Sequence, residues 1–521
     1  MHCQVFQRHE AFSISNDNTM RLPGPACATC REKCRRCDRG RPECQRCVSK
    51  GLPCGGYPDK YQFCGPTRKK RKERPSTDGP AARTRRGRVS QVDSDIPEQT
   101  VDNIPTRPEE ISNNNGNIQP PTPHTARSPS EIEQVLMLEE TEMLLSYYDK
   151  RICPFQIALA DKMDNPYRTY ILPLANKQIQ LLYAVLGLSA CHLGQFKSDE
   201  HLRETVAVGY RVKAIRGLGE AIKKGSSGVP TEDERDAIFV TIQILLLQDI
   251  CETGISTHGV HITGAVSICN QLMLGESLTR DHERTVFFLG NLAWLDIIRG
   301  FAGPERLCFS PELRETIVSL TDMKFERVNG CPKEIFLIIG RALDHAKAHA
   351  AGEIETEQYK QVLYTARRDL LSWNQNSCIY PDEDPRWRSV ADAFRHACIL
   401  RISRLLDVSQ PAEALEIQNS VTAILDAVAN IEKDHPLIHL VILPLFMAGA
   451  DSLSPHSRHY TILRIDEVKV ASEFCNPVPK DLLKNVWDAR ASQSKGDHSN
   501  IPWMLFTHNP ALERQHDYLI I

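Results

Sequence analysis

From residue 131 onward, apolar residues recur at helical spacing over most of the chain. The run opens at Ser128-Pro129-Ser130-Glu131, which reads as an N-cap Ser128, a Pro at the first helical position and a Glu three residues on. Ile132, Val135, Leu136, Met143 and Leu144 then follow at mostly helical spacing. Stretches 178–193 and 201–222 read as amphipathic helices. Thr231 and Glu234 form another capping box, and 237–250 is apolar enough for a central helix. Helical patterns continue at 286–301, 335–350, 390–406 and 412–431, with the last apolar groups at 437–447 and from Val486. Short loops with Pro and Gly, such as 225–230, separate them. There is no series of period-2 strands and no fixed repeat, so an all-helical domain over 131–521 is predicted. No apolar run stands out as long enough to span a membrane, so no membrane partner is expected. The best candidate, 437–447, is short and broken by His439 and Pro444.

The pattern changes before that domain. Residues 75–128 are poor in aromatics and rich in Pro, Ser, Thr, Asn and charge. Such chain buries too little apolar area to offset its ordering entropy and reads as a disordered linker. The expected division is a flexible tail over 1–21, a small head over 22–60, a basic then disordered linker over 61–130, and the helical domain. The first twenty residues lack the apolar core of a signal peptide. No sustained heptad follows the head, so dimerisation by a coiled coil in the linker is not expected, although a homodimer by another route is compatible.

Charge sharpens the division. The whole chain carries −3, but residues 21–90 hold 20 Lys and Arg against 6 Asp and Glu, a net of +14, leaving −16 on residues 91–521. A basic head on an acidic body is the footprint of a polyanion partner.

The head also holds six of the chain's 18 cysteines in a fixed rhythm: Cys27-x2-Cys30-x6-Cys37-x6-Cys44-x2-Cys47-x6-Cys54. A C-x2-C pair turns two sulfurs toward one point, as tetrahedral zinc requires. Two mononuclear sites would need eight sulfurs, so six serve two zinc ions only if two are shared. A knuckle that only staples the fold, or a disulfide framework, is the alternative, and the latter needs an oxidising compartment. The other cysteines, among them Cys153, Cys191, Cys251, Cys269 and Cys308, sit singly in apolar surroundings and read as buried thiols of an intracellular protein.

This complete spacing resembles the fungal zinc binuclear cluster, Zn2Cys6, of transcription factors. The resemblance implies two Zn2+ per chain: Cys27 and Cys44 bridge, Cys30 and Cys37 complete one site, and Cys47 and Cys54 the other. Pro42 matches a Pro common in the family's connecting loop. The long region is similar to the fungal-specific transcription factor domain. LLSYYDKRICPF at 144–155, NPYRTYILPLA at 165–175 and THNPALERQHDYLII at 507–521 further resemble the group of acriflavine sensitivity control proteins. The implied architecture is mainly α: a Zn2Cys6 head, a disordered linker and a large all-helical regulatory domain.

The same resemblance implies double-stranded DNA as partner, read at a CGG-like half-site by the third and fourth positions after the second cysteine. Those positions here are Lys33 and Cys34. Cys34 departs from the family's usual pair of basic residues. Lys33 is therefore the candidate for base contact, with Arg35 and Arg36 on phosphates or taking over that contact. Arg31, Arg39, Arg41 and Arg46 add further cations. Six thiolates and two Zn2+ sum to −2, so some of these cations also balance the cluster. The run Arg68-Lys69-Lys70-Arg71-Lys72 is a candidate nuclear-import signal or phosphate arm.

Nothing in the chain assembles a catalytic constellation. It has no Gly-rich phosphate loop and no G-x-S-x-G elbow. His345 and His349, four apart on a helical stretch, read as surface histidines, and His258 and His261 take the same reading. The five tryptophans read as packing, and Asp382-Glu383-Asp384 as a solvated loop. With the resemblance, this implies a nuclear, zinc-dependent, sequence-specific regulator of RNA polymerase II transcription that meets the transcription machinery, and the family is compatible with a small-molecule inducer. It would control a secondary-metabolite gene cluster or drug or metabolic response genes. The competing reading is a zinc-cluster scaffold or corepressor without base readout, to which Cys34 would be suited.

Overall fold

Two short helices, Ala28–Glu32 and Gln45–Ser49, each begin one residue after a cysteine. The computed structural model that contains them describes residues 27–56, apart from 34, 36 and 38–42. It also describes residues 129–520, apart from 159–164, 257–259, 272–276, 304–305, 473, 475, 495, 497 and 508–516. These fall into two units, one within 1–118 and one within 119–521. The proposed tail over 1–21, nearly all of the linker over 61–130, and Arg68 to Lys72 lie outside the described residues.

In the first unit the hydrogen bonds run between the ends of the segment. The Ala28 N–H donates to the Gly56 carbonyl at 2.8 Å. The Thr29 hydroxyl donates to the Pro53 carbonyl and accepts the Gly55 N–H, both at 2.8 Å. A Cβ at Gly55 would meet the Ala28 Cβ at 3.0 Å, so a larger residue there would crowd the closure. The buried centre consists of Cys27, Cys30, Cys44 and Cys47, with Cys37, Leu52 and Cys54 against it. Sulfur replaces the hydrocarbon core that a segment this short cannot build.

The second unit is helical. Its first helix is Glu131–Leu136, capped by Ser130 rather than Ser128, with the Glu133 carboxylate accepting from the Ser130 N–H and hydroxyl. The overlapping Ser-Pro-Ser-Glu motif offers two caps, and the one whose N3 residue is Glu133 is used. The Thr231–Glu234 box forms as expected and opens the helix Glu232–Glu252.

The stretch 178–193 is not amphipathic in its setting. Helix Ile179–Lys197 is buried on every side from Gln180 to Gly194. Helices Val208–Ser227 and Glu232–Glu252 both pack on it. Gly187 permits that: a Cβ there would stand 3.1 Å from Gln248 Oε1 on one helix and 3.4 Å from the Tyr210 Cβ on the other. Glu283–Ala302 lies beside Glu232–Glu252 and is equally enclosed. Ile179–Lys197 and Glu283–Ala302 are long and apolar enough to cross a membrane, a length that the sequence reading missed. Their apolar windows are 83% and 100% buried in the helical body, so the surface a bilayer would cover is already covered by protein.

The second half of this unit builds on Arg386–Leu406, against which Leu415–Ala429, Thr356–Ser372 and Ile442–Ala450 pack. A strand pair that the sequence did not announce, Ile255–Ser256 with Asp517–Tyr518, ties the end of the chain to its middle. The Leu519 N–H extends it to the Gly254 carbonyl at 2.9 Å.

A candidate metal centre

The two C-x2-C pairs fold alike. The Cys27 sulfur accepts the Cys30 N–H at 3.4 Å, and the Cys44 sulfur accepts the Cys47 N–H at 3.3 Å. Each first cysteine thus caps a helical turn that carries the second cysteine back toward it. The two turns meet sulfur to sulfur: Cys27 to Cys44 at 3.6 Å, Cys27 to Cys47 and Cys30 to Cys44 at 3.8 Å, and Cys30 to Cys47 at 3.9 Å.

Four thiolates about 2.3 Å from a tetrahedral zinc stand about 3.8 Å from one another. A disulfide needs about 2.05 Å. The sulfurs are spaced for the metal, and none of the six cysteines forms a disulfide. Two quartets each lie within 4.8 Å: Cys27, Cys30, Cys37 and Cys44, and Cys27, Cys44, Cys47 and Cys54. They overlap in Cys27 and Cys44, as a pair of metals with two shared ligands requires. The donor set and its spacing therefore fit two zinc ions.

Burial favours the protonated thiol at Cys27, Cys30 and Cys44, pushing Cys27 up to about 12. Cys54 moves the other way, because the Cys44 N–H favours its thiolate. Zinc binds thiolates, so loading this head displaces protons and weakens as pH falls.

Lys33 and Arg35 are exposed immediately after the first helix, while Arg46 is half-buried on the second. Lys33 N–H bonds to the Thr29 carbonyl at 3.2 Å and Arg35 N–H to the Cys30 carbonyl at 2.9 Å, so the backbone carrying both cations is fixed to the cysteine turn. Arg31 lies on the first helix. Cys34, Arg36, Arg39, Arg41 and Pro42 lie outside the described residues. Thr29, which closes the head onto residues 53–55, went unnoticed in the sequence, since nothing marks a lone Thr between cysteines.

The other candidates become structural. The His345 ring bonds to the Arg341 carbonyl at 2.9 Å. His349 stacks on Tyr359 with centroids 4.4 Å apart. His258 lies outside the described residues. Among the described residues only the cysteine quartets group as metal ligands. Asp382 is not merely solvated: it accepts the Trp387 indole N–H at 2.9 Å and pairs with Arg327 at 3.0 Å. Cys191 and Cys251 are not single, their sulfurs being 3.7 Å apart, and Cys308 faces Thr263 and Arg299 rather than apolar surroundings.

Comparison with protein families matches residues 25–63 to the fungal Zn(2)-Cys(6) binuclear cluster domain and residues 143–521 to the fungal specific transcription factor domain. No curated protein and no solved structure matches the chain. The finer likeness to the acriflavine group finds no counterpart in these matches. The second match covers most of the chain, and with the cysteine geometry it gives the identity: this chain belongs to the fungal zinc-cluster transcription factors, with a DNA-binding head that takes two zinc ions.

Proposed function

We propose that the head, spanning 22–60, reads duplex DNA in the major groove. Cys27 and Cys44 would be shared by the two zinc ions, with Cys30 and Cys37 completing one site and Cys47 and Cys54 the other. Bound zinc supplies the cross-link that holds the two cysteine turns together. The chain's own residues do the reading. Lys33 meets a guanine edge, and Arg35 and Arg36, with Arg31, Arg39, Arg41 and Arg46, neutralise phosphates. The observation that carries this reading is the pair of exposed cations Lys33 and Arg35, hydrogen-bonded through their backbone to the Cys27–Cys30 turn. A CGG-like half-site follows from the family pattern.

In this reading the basic run at 68–72 directs the protein to the nucleus, and the linker over 61–130 joins the head to a regulatory domain over 131–521. That domain meets the transcription machinery and answers to a small-molecule inducer, with homodimerisation through helical surfaces rather than a coiled coil. The regulated genes are those of one pathway: a secondary-metabolite cluster or a drug or metabolic response.

Binding-site selection with the zinc-loaded full chain tests this. A shared motif, an affinity falling steeply with salt and loss of binding on chelation are expected. Cys34 beside Lys33 favours a second reading, a scaffold or corepressor whose head docks on protein. Chromatin occupancy left intact by Lys33→Ala would select it.

A further inference from the structure

Where the first and second halves of the helical domain meet, they leave a cavity of about 140 Å³. That is the size of cavity that accepts a single aromatic ring. Trp294 and Phe394 stand on its wall, and its polar lining side chains include three from three separate elements. Gln243 comes from Glu232–Glu252, Asn329 ends Lys324–Asn329, and His439 sits in the 3-10 turn Pro436–Val441.

These polar groups are enclosed and unsatisfied. Asn329 is 3% exposed, and neither its Oδ1 nor its Nδ2 has a partner. Gln243 is 2% exposed; its Nε2 donates to the Tyr167 hydroxyl at 3.1 Å, while its Oε1 has no partner. His439 Nε2 is likewise unpartnered. Burial lowers the His439 pKa to about 4, and the Pro436 carbonyl holds the other ring nitrogen. The ring is neutral and Nε2 is a bare acceptor.

The placement of Asn329 is built in. It precedes Gly330, which adopts φ +72°, and a Cβ there would meet the Leu440 Cβ at 2.9 Å and Phe394 at 3.0 Å. Only glycine lets the corner come so close. Buried polar groups are rarely left unpaired, and an apolar cavity with a few converging polar groups is the usual form of a small-molecule site.

We propose that this cavity binds an uncharged ring-sized molecule that carries both a hydrogen-bond donor and an acceptor, such as a cyclic or aromatic amide. The donor meets Gln243 Oε1 or His439 Nε2, and the acceptor meets the Asn329 amide N–H. Among the described lining residues only the half-buried Lys469 brings a charge, and it is already engaged, so an anion would find no free counter-charge. The inference gives a place and a chemistry to the inducer of the proposed function. It rests on that reading only for its regulatory consequence, since binding is tested without DNA.

The test is calorimetric titration of the full-length protein with benzamide, benzoate and toluene. Benzamide is expected to bind saturably, one per chain, at least tenfold more tightly than benzoate. Asn329→Leu should weaken benzamide at least tenfold while toluene binds as before. Its melting temperature should equal or exceed the parent's, because an unpaired amide has been removed. Gln243→Met gives the same reading from another wall if Asn329→Leu does not fold. Absence of saturable benzamide binding, equal affinity for benzoate, or benzamide affinity unchanged in the substituted proteins would overturn the proposal and leave the cavity to water.

Discussion

The sulfurs of Cys27 and Cys44 lie 3.6 Å apart, although the two residues are 17 positions apart in the chain. Both belong to both quartets, so each is placed to hold two metals at once. The remaining four sulfurs belong to one quartet each. The cysteines are therefore unequal, and substitution should reveal it. Cys27→Ala or Cys44→Ala is expected to release both zinc ions and unfold the head, whereas Cys54→Ala, at the half-buried edge, should retain more than half of the metal. Elemental analysis of the purified variants checks this ordering.

Lys33 and Arg35 should fail differently. Lys33→Ala is expected to cost about 1–3 kcal/mol of specific binding and to relax the preference at one base pair. Arg35→Ala, as a phosphate contact, should weaken all sequences alike and reduce the salt slope by about 1. Competition binding on cognate and scrambled duplexes at several salt concentrations separates the two.

In the helical domain, Asp451 is 5% exposed and holds two guanidinium groups. Arg404 binds it at 2.6 Å and Arg490 at 2.9 Å. Removing the carboxylate leaves two arginines facing each other in a buried site. Asp451→Ala should cost about 3–5 kcal/mol, read as a lowered melting temperature.

Glu326 gives a pH signature. It is 7% exposed, burial raises its pKa from 4.5 to about 7, and its Oε2 has no partner. The folded state holds the proton more tightly than the unfolded state. Stability from this group is present below pH 4.5 and is lost as pH rises through 7, by about 3 kcal/mol in all. Glu326→Gln mimics the protonated form. Its stability gain over the parent should be near zero below pH 4.5 and grow up to pH 7 and above, as followed by chemical denaturation across that range.

Much of this was readable in advance, because local rules govern it. Cysteine spacing determines which sulfurs can meet, and the Thr231–Glu234 cap and the apolar stretch 237–250 act within a few turns of chain. The failures are non-local. Periodicity makes 178–193 look half-solvated, since it cannot register two neighbours that close over Gly187. Helix Thr356–Ser372 was missed because its charge-rich sequence hides a narrow stripe of Tyr359, Leu363, Ala366 and Leu370. At Pro311–Leu320 the start is marked locally, by the Ser310 cap and the Pro at the first helical position. The pairing of residues 255–256 with 517–518 joins segments too distant for any window to connect. The cavity residues were equally hidden: Gln243, Asn329 and His439 are ordinary polar residues until three separate elements bring them together.

The account depends most on the metal pair in the head. Zinc content of the purified full-length protein, measured with a thiol titration on the same sample, tests it most directly. Two zinc per chain are expected, with the six cysteines 27, 30, 37, 44, 47 and 54 protected until a chelator is added and both metals then leaving together. One zinc per chain, or oxidised cysteine pairs in place of metal, would contradict it.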